Sequence, residues 1–181
     1  AAQVGNAIVV TGVHGASRAG LELLLQPELG QNLSPIERVA LIQAHQRPTP
    51  RLDVLTVLRD VAGALSIAGM DSSDGLADAV VQLCQASSVG AQIQRQLIPL
   101  PSTLNNWVPE RSLEWALYGG EDFELVLCLP QRQAETLVRQ LGKGAAIVGM
   151  IVAGSDVYLV DQTGEKPAEV LTLSQGFQHF S

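Results

Sequence analysis

The sequence predicts an α/β fold in which a mixed β-sheet is covered by helices, and two observations lead there. Amphipathic helical segments alternate with short apolar runs along the 181 residues, the pattern of a sheet layered with helices. Hydrophobic residues make up 46% of the chain but aromatic ones only 4%. The core is therefore mostly Leu, Val, Ile and Ala, as expected of helices packed on a sheet. This length suits one sizeable core, so residues 1–181 are expected to form a single domain.

Each element follows from local signals. Residues 7–11 read as a short buried strand, 16–25 as a helix carrying a run of leucines, and 27–33 as loop. Ser34-Pro35-Ile36-Glu37 starts a helix, with Ser at the N-cap, Pro at the first helical position and Glu completing a capping box. That helix runs to about His45, and Pro48 and Pro50 then force an extended loop. Leu55, Leu58, Val61 and Leu65 give the apolar stripe of a helix over 52–66. A strand-like lead-in at 68–70 precedes a helix over 75–87, whose Leu76, Val80, Leu83 and Cys84 share one face. Residues 90–98 read as a strand, 99–109 as loop, 110–117 as a helix, 123–129 as a strand and 131–141 as a helix. Gly142-Lys143-Gly144 reads as a helix C-cap turn. Strands are expected at 145–152, 156–160 and 169–173, with Asp161-Gln162-Thr163-Gly164 turning a late hairpin.

Charge and cysteine usage narrow the function. Eleven Lys plus Arg against 18 Asp plus Glu leave a net charge of −7, which argues against a nucleic-acid surface. Phosphate ligands remain compatible with it if metal ions screen the carboxylates. Cys84 and Cys128 fall on apolar faces and read as small buried residues, not as a disulfide or metal site. No apolar stretch reaches membrane-spanning length and no signal peptide opens the sequence, so the expected setting is the reducing cytoplasm.

Two segments carry candidate chemistry. In Met70-Asp71-Ser72-Ser73-Asp74-Gly75-Leu76-Ala77-Asp78, two carboxylates and two hydroxyls stand where the chain enters a helix. Free backbone N–H groups and the helix dipole favour phosphate at such a place. Carboxylates there suit a hard cation such as Mg²⁺, which takes oxygen ligands and bridges protein to phosphate. The same residues also read as an ordinary N-cap. In Tyr118-Gly119-Gly120-Glu121-Asp122-Phe123-Glu124-Leu125, paired glycines allow the backbone to approach a ligand closely. If the strand begins there, Asp122 and Glu124 share one face and Glu121 takes the other. By itself this segment reads equally well as a solvated acidic turn.

Together these segments resemble the C-terminal half of the thiamine-monophosphate kinases, part of the superfamily of AIR synthetase, selenophosphate synthetase and the hydrogenase-maturation dehydratase. Three further segments fit in family order: 10–21 (VTGVHGASRAGL), 47–51 (RPTPR) and 176–180 (GFQHF). The resemblance implies an AIR-synthetase C-terminal-domain-like fold and ATP-dependent phosphorylation of thiamine monophosphate to thiamine diphosphate. It implies that Asp71 and Asp74 hold Mg²⁺, that Arg18 and Ser73 contact ATP, and that Glu121 and Phe177 contact the thiamine moiety. Ser72 departs from the family, where an apolar residue is usual. Asp78 reads as a surface or packing residue, His14 as a loop histidine, and Trp107 and Trp115 as packing residues. No P-loop or protein-kinase glycine loop is present. The family's N-terminal ATP- and Mg²⁺-binding half has no counterpart here, so the chain alone is expected to be inactive, and the homodimer is expected of the full-length protein. Two alternatives stay open: another ATP-dependent enzyme of the superfamily, or a stand-alone module binding a nucleotide or thiamine phosphate.

Overall fold

The computed structural model describes residues 1–173. Seven strands among them form one mixed sheet: β1 (Ala7–Val10), β2 (Ala68–Asp71), β3 (Gly90–Gln94), β4 (Leu125–Leu129), β5 (Ala146–Val152), β6 (Val157–Val160) and β7 (Glu169–Leu171). Their order is β2-β4-β1-β5-β3-β6-β7. Every neighbouring pair is antiparallel except β3 and β6. The helices are α1 (Ala16–Leu25), α2 (Pro35–Gln46), α3 (Asp53–Ala62), α4 (Leu76–Ser87), α5 (Ser102–Trp107), α6 (Pro109–Tyr118) and α7 (Gln131–Leu141).

Side chains alternate across the central strands and so separate two apolar layers. Ile8, Val10, Val126 and Cys128 pack with Leu76, Val80 and Cys84 of α4 and with Leu117 of α6. Ala7, Val9, Leu127 and Leu129 pack on the opposite face with Val54 of α3 and Ala134 and Leu137 of α7. The stripe read on 75–87 is thus the buried face of α4. A third cluster joins α1 and α2 through Ala19, Leu23 and Leu41, closed by Leu104 and Trp115. Trp107 and Trp115 meet edge to face at 5.8 Å, and the Trp107 indole N–H donates to the Leu29 carbonyl at 2.8 Å. Both cysteines are buried free thiols. Among the described residues no helix is long and apolar enough to cross a membrane.

The capping box forms as read: the Glu37 N–H donates to Ser34 Oγ and the Ser34 N–H donates to the Glu37 carboxylate. Several boundaries differ from expectation. Helix α3 stops at Ala62 because Gly63 takes φ 57°. Strand β3 stops at Gln94, and a 3-10 turn follows over Arg95–Leu97. The stretch read as loop between Pro99 and Pro109 contains the six-residue helix α5. Strand β4 begins at Leu125 rather than at 123, since Glu121 and Phe123 have φ 58° and 54°, which extended pairing does not admit.

Candidate functional site

Strand register sets the site. Val10 pairs with Val126, and Asp71 pairs with Leu125. The ends of β1 and β2 and the start of β4 therefore meet at one end of the sheet, and so do the loops that continue them, 11–15, 72–75 and 119–124. A backbone hydrogen bond from the Glu121 N–H to the Ser73 carbonyl, 2.6 Å long, joins the second and third loops. Gly75 makes their approach possible: it has φ 109°, and a Cβ there would lie 2.7 Å from the Leu117 carbonyl oxygen. Segments fifty positions apart in sequence are thereby locked side by side.

Asp71 ends β2 and is exposed. Its Oδ1 accepts the Ser73 hydroxyl at 2.8 Å, whereas its Oδ2 has no partner among the described residues. Asp74 lies half-buried one residue before Gly75, the N-cap of α4. Two carboxylates within one loop are hard oxygen donors, and they fit Mg²⁺, which commonly takes one or two carboxylates and completes its shell with water and phosphate. Among the described residues no group of three or more His, Cys, Asp or Glu forms a metal cage. Asp78, one turn on, accepts from the Gln82 amide and is half-buried, in keeping with a surface or packing role.

Behind Asp71 the loop is pinned from inside. The Ser72 N–H donates to the Glu124 carbonyl at 2.8 Å. Ser72 Oγ lies 3.0 Å from Nε2 of His14, whose Nδ1 faces the Gly12 carbonyl at 3.2 Å. His14 is wholly buried, and desolvation lowers its pKa to about 4, so the ring is neutral near pH 7. It is a loop histidine, as read, tying the 11–15 loop to the carboxylate loop.

The third loop supplies three acids with three different surroundings. The Asp122 carboxylate caps α1 from a distant part of the chain, accepting the Gly15 N–H at 2.6 Å and the Ser17 N–H at 2.9 Å. Burial raises its pKa to about 6, against those two hydrogen bonds. Glu124 accepts the Thr11 hydroxyl at 2.6 Å and Arg51 Nη1 at 2.5 Å. Arg51 also donates to the Thr11 carbonyl and forks onto both oxygens of Asp53 at 3.0 Å. Hydrogen bonding to Asp53 and the charge of Glu124 hold its pKa up, against partial burial. Glu121 points elsewhere: its Oε2 lies 3.5 Å from Nδ1 of His45 in the last turn of α2. These residues precede β4, and the positive φ of Glu121 and Phe123 breaks the alternation that the strand reading assumed.

Arg18 lies in the first turn of α1, its stem against Gly119, where a Cβ would come within 2.6 Å of Arg18 Cβ. Its guanidinium donates twice to Oε1 of Glu22, at 2.6 and 2.9 Å, and stays one-third exposed. Beside these loops lies a pocket of about 310 Å³ bordered by Val13, Arg47, Thr49, Arg51, Asp122 and Glu124. The structure thus gathers Arg18, Asp71, Ser73, Asp74 and Glu121 around joined loops. Phe177 lies outside the described residues. Sequence reading missed the Asp122 cap, the Arg51 hub and the His45 contact; only the quoted Arg47–Arg51 segment pointed toward one of them.

A family model described as AIR synthase related protein, C-terminal domain, matches residues 3–162. A curated thiamine-monophosphate kinase from Synechococcus elongatus is 48% identical over 99% of this chain and 53% of its own length. The solved structure of AaThiL complexed with AMPPCP and TMP superposes with a TM-score of 0.72 at 32% identity, covering 92% of this chain and 50% of that one. The thiamine-monophosphate kinase from Aquifex aeolicus gives a TM-score of 0.71 at 33% identity, covering 88% and 53%. The chain spans about half the length of the curated relatives it matches. By its sequence and by its fold, the chain belongs to the AIR synthase related C-terminal domain family.

Proposed function

We propose that this chain is the C-terminal half of a thiamine-monophosphate kinase, which uses ATP to convert thiamine monophosphate to thiamine diphosphate. The observation that carries the reading is the Glu121 N–H to Ser73 carbonyl bond, 2.6 Å long, which joins the carboxylate loop to the glycine-rich acidic loop. The names of the relatives support the same reaction. In it, an oxygen of the substrate's phosphate attacks the γ-phosphorus of ATP, the bond to the β-phosphate oxygen breaks, and ADP leaves. Such a transfer needs positioning and charge neutralisation rather than a covalent intermediate.

The residues divide these tasks. Asp71 and Asp74 hold Mg²⁺, which when bound neutralises phosphate charge. Ser73 contacts the nucleotide from between them. Arg18 serves the ATP phosphates, and its pairing with Glu22 keeps the guanidinium oriented until they arrive. Glu121 receives the aminopyrimidine and faces the thiazolium charge, and Phe177 offers an aromatic face to the ring. The full-length protein works as a homodimer in the cytoplasm, a setting that suits two buried free thiols.

Incubating the full-length protein with ATP, Mg²⁺ and thiamine monophosphate, and separating the products by chromatography, tests the reading. Thiamine diphosphate and ADP are expected in equal amounts, with none from the 181-residue chain alone. Failure of the full-length protein to form thiamine diphosphate would refute it.

A further inference from the structure

His45 stands in the last turn of α2 with a polar contact to each of two neighbouring segments. Its Nδ1 lies 3.0 Å from Ser17 Oγ on α1 and 3.5 Å from Glu121 Oε2 on the acidic loop. Its position is tightly fixed. Gly20 brings α1 against α2 so closely that a Cβ there would overlap the Leu41 carbonyl and lie 2.9 Å from His45 Cβ. Ser17 is fully buried, and its own N–H is held by Asp122. Glu121 is the reverse case. Its backbone sits at φ 58°, and its side chain is 37% exposed. Among the described residues, His45 is the polar partner of that carboxylate, and Oε1 has none.

We propose that His45 is a positioning residue that orients the Glu121 carboxylate toward the cationic, amine-bearing ring of the substrate; this rests on the kinase reading above. A carboxylate beside Nδ1 favours the tautomer with its proton on Nδ1, which then donates to Ser17 Oγ at 3.0 Å and attracts the Glu121 carboxylate, whose Oε2 lies 3.5 Å away. One carboxylate oxygen is thereby fixed, and the other is left to accept from a substrate N–H. A freely rotating glutamate would lose rotamer freedom when substrate binds, and one already held in place loses less. His45 therefore acts on affinity for the phosphate acceptor and not on ATP or metal.

The test is steady-state kinetics on the full-length enzyme. His45→Ala should raise KM for thiamine monophosphate by about tenfold, a change on the scale of one lost hydrogen-bonded orientation. KM for ATP and the Mg²⁺ dependence should stay within about twofold of wild type, well inside what one hydrogen bond is worth. His45→Asn, whose side-chain N–H can replace Nδ1–H, should recover most of the loss. Ser17→Ala should give a smaller rise in the same parameter. In a Glu121→Gln background, His45→Ala should add little, because its effect passes through that carboxylate. If His45→Ala does not fold, His45→Asn and Ser17→Ala carry the same comparison. The proposal is overturned if KM for ATP rises in parallel, if KM for thiamine monophosphate does not move, or if the full effect persists in Glu121→Gln. Wild-type enzyme that does not phosphorylate thiamine monophosphate would overturn the kinase reading itself, and this proposal with it.

Discussion

The loop end of the sheet and the apolar layers behind it are held by different physics. In the layers, Ile8, Val9, Leu129 and Leu137 are fully buried, and stability comes from removing hydrocarbon from water. At the loops, three segments far apart in sequence are joined by a buried histidine, half-buried carboxylates, an arginine fork and backbone held at positive φ. Left-handed non-glycine residues such as Glu121 and Phe123 each cost about 1–3 kcal/mol. The cost is tolerated because the neighbouring hydrogen bonds over-determine the loop. The layers thus supply stability, while the loop end uses part of it to place polar groups.

That contrast can be broken first in the layers. Leu129→Ala should destabilise the chain by about 2–5 kcal/mol, as deletion of a buried leucine side chain does. Chemical denaturation reads this directly. A loss below about 1 kcal/mol would mean that the sheet face against α7 is not the stabilising layer described here.

A smaller effect sharpens the loop side. Asp122 has a folded pKa of about 6 against an ordinary value of 3.8, so the folded state binds more protons in that window. Its contribution is fully present below pH 3.8 and is lost as pH rises toward 6. His14 has a folded pKa of about 4 against 6.5, so there the unfolded state binds more protons. Its contribution is fully present above pH 6.5 and is lost as pH falls toward 4. The two slopes oppose each other, each at most about 1.4 kcal/mol per pH unit. Denaturation midpoints between pH 4 and 6.5 should therefore rise with pH in Asp122→Asn and fall with pH in His14→Gln. Both variants following the wild-type profile would show that neither group titrates with folding.

What was legible in the sequence follows the same division. The α2 capping box and the α4 stripe are local patterns, and each formed where the residues said it would. Helix α5 was hidden because it is six residues long and lies between Pro101 and Pro109, which read as loop. The loop end was legible as chemistry, since Asp71, Asp74 and Glu121 stand in recognisable segments, but not as structure. Asp122 reaches α1 across 105 and 107 positions, Arg51 reaches Glu124 across 73, and His45 reaches Ser17 across 28. No local period or spacing encodes such pairings. Positive φ at Glu121 and Phe123 is equally invisible, because neither residue type announces it.

The most direct test of the account lies at the carboxylate pair. Asp71→Asn and Asp74→Asn in the full-length enzyme keep side-chain shape and remove a negative charge that the proposed Mg²⁺ site would use. Turnover at saturating Mg²⁺ and melting temperature, measured on the same preparations, separate function from folding. If the pair holds Mg²⁺, kcat falls by about a hundredfold or more, equivalent to about 2.7 kcal/mol of transition-state stabilisation, with the melting temperature unchanged. Near-normal turnover with a stability loss of about 1 kcal/mol would contradict it, and would make Asp71 and Asp74 helix caps instead.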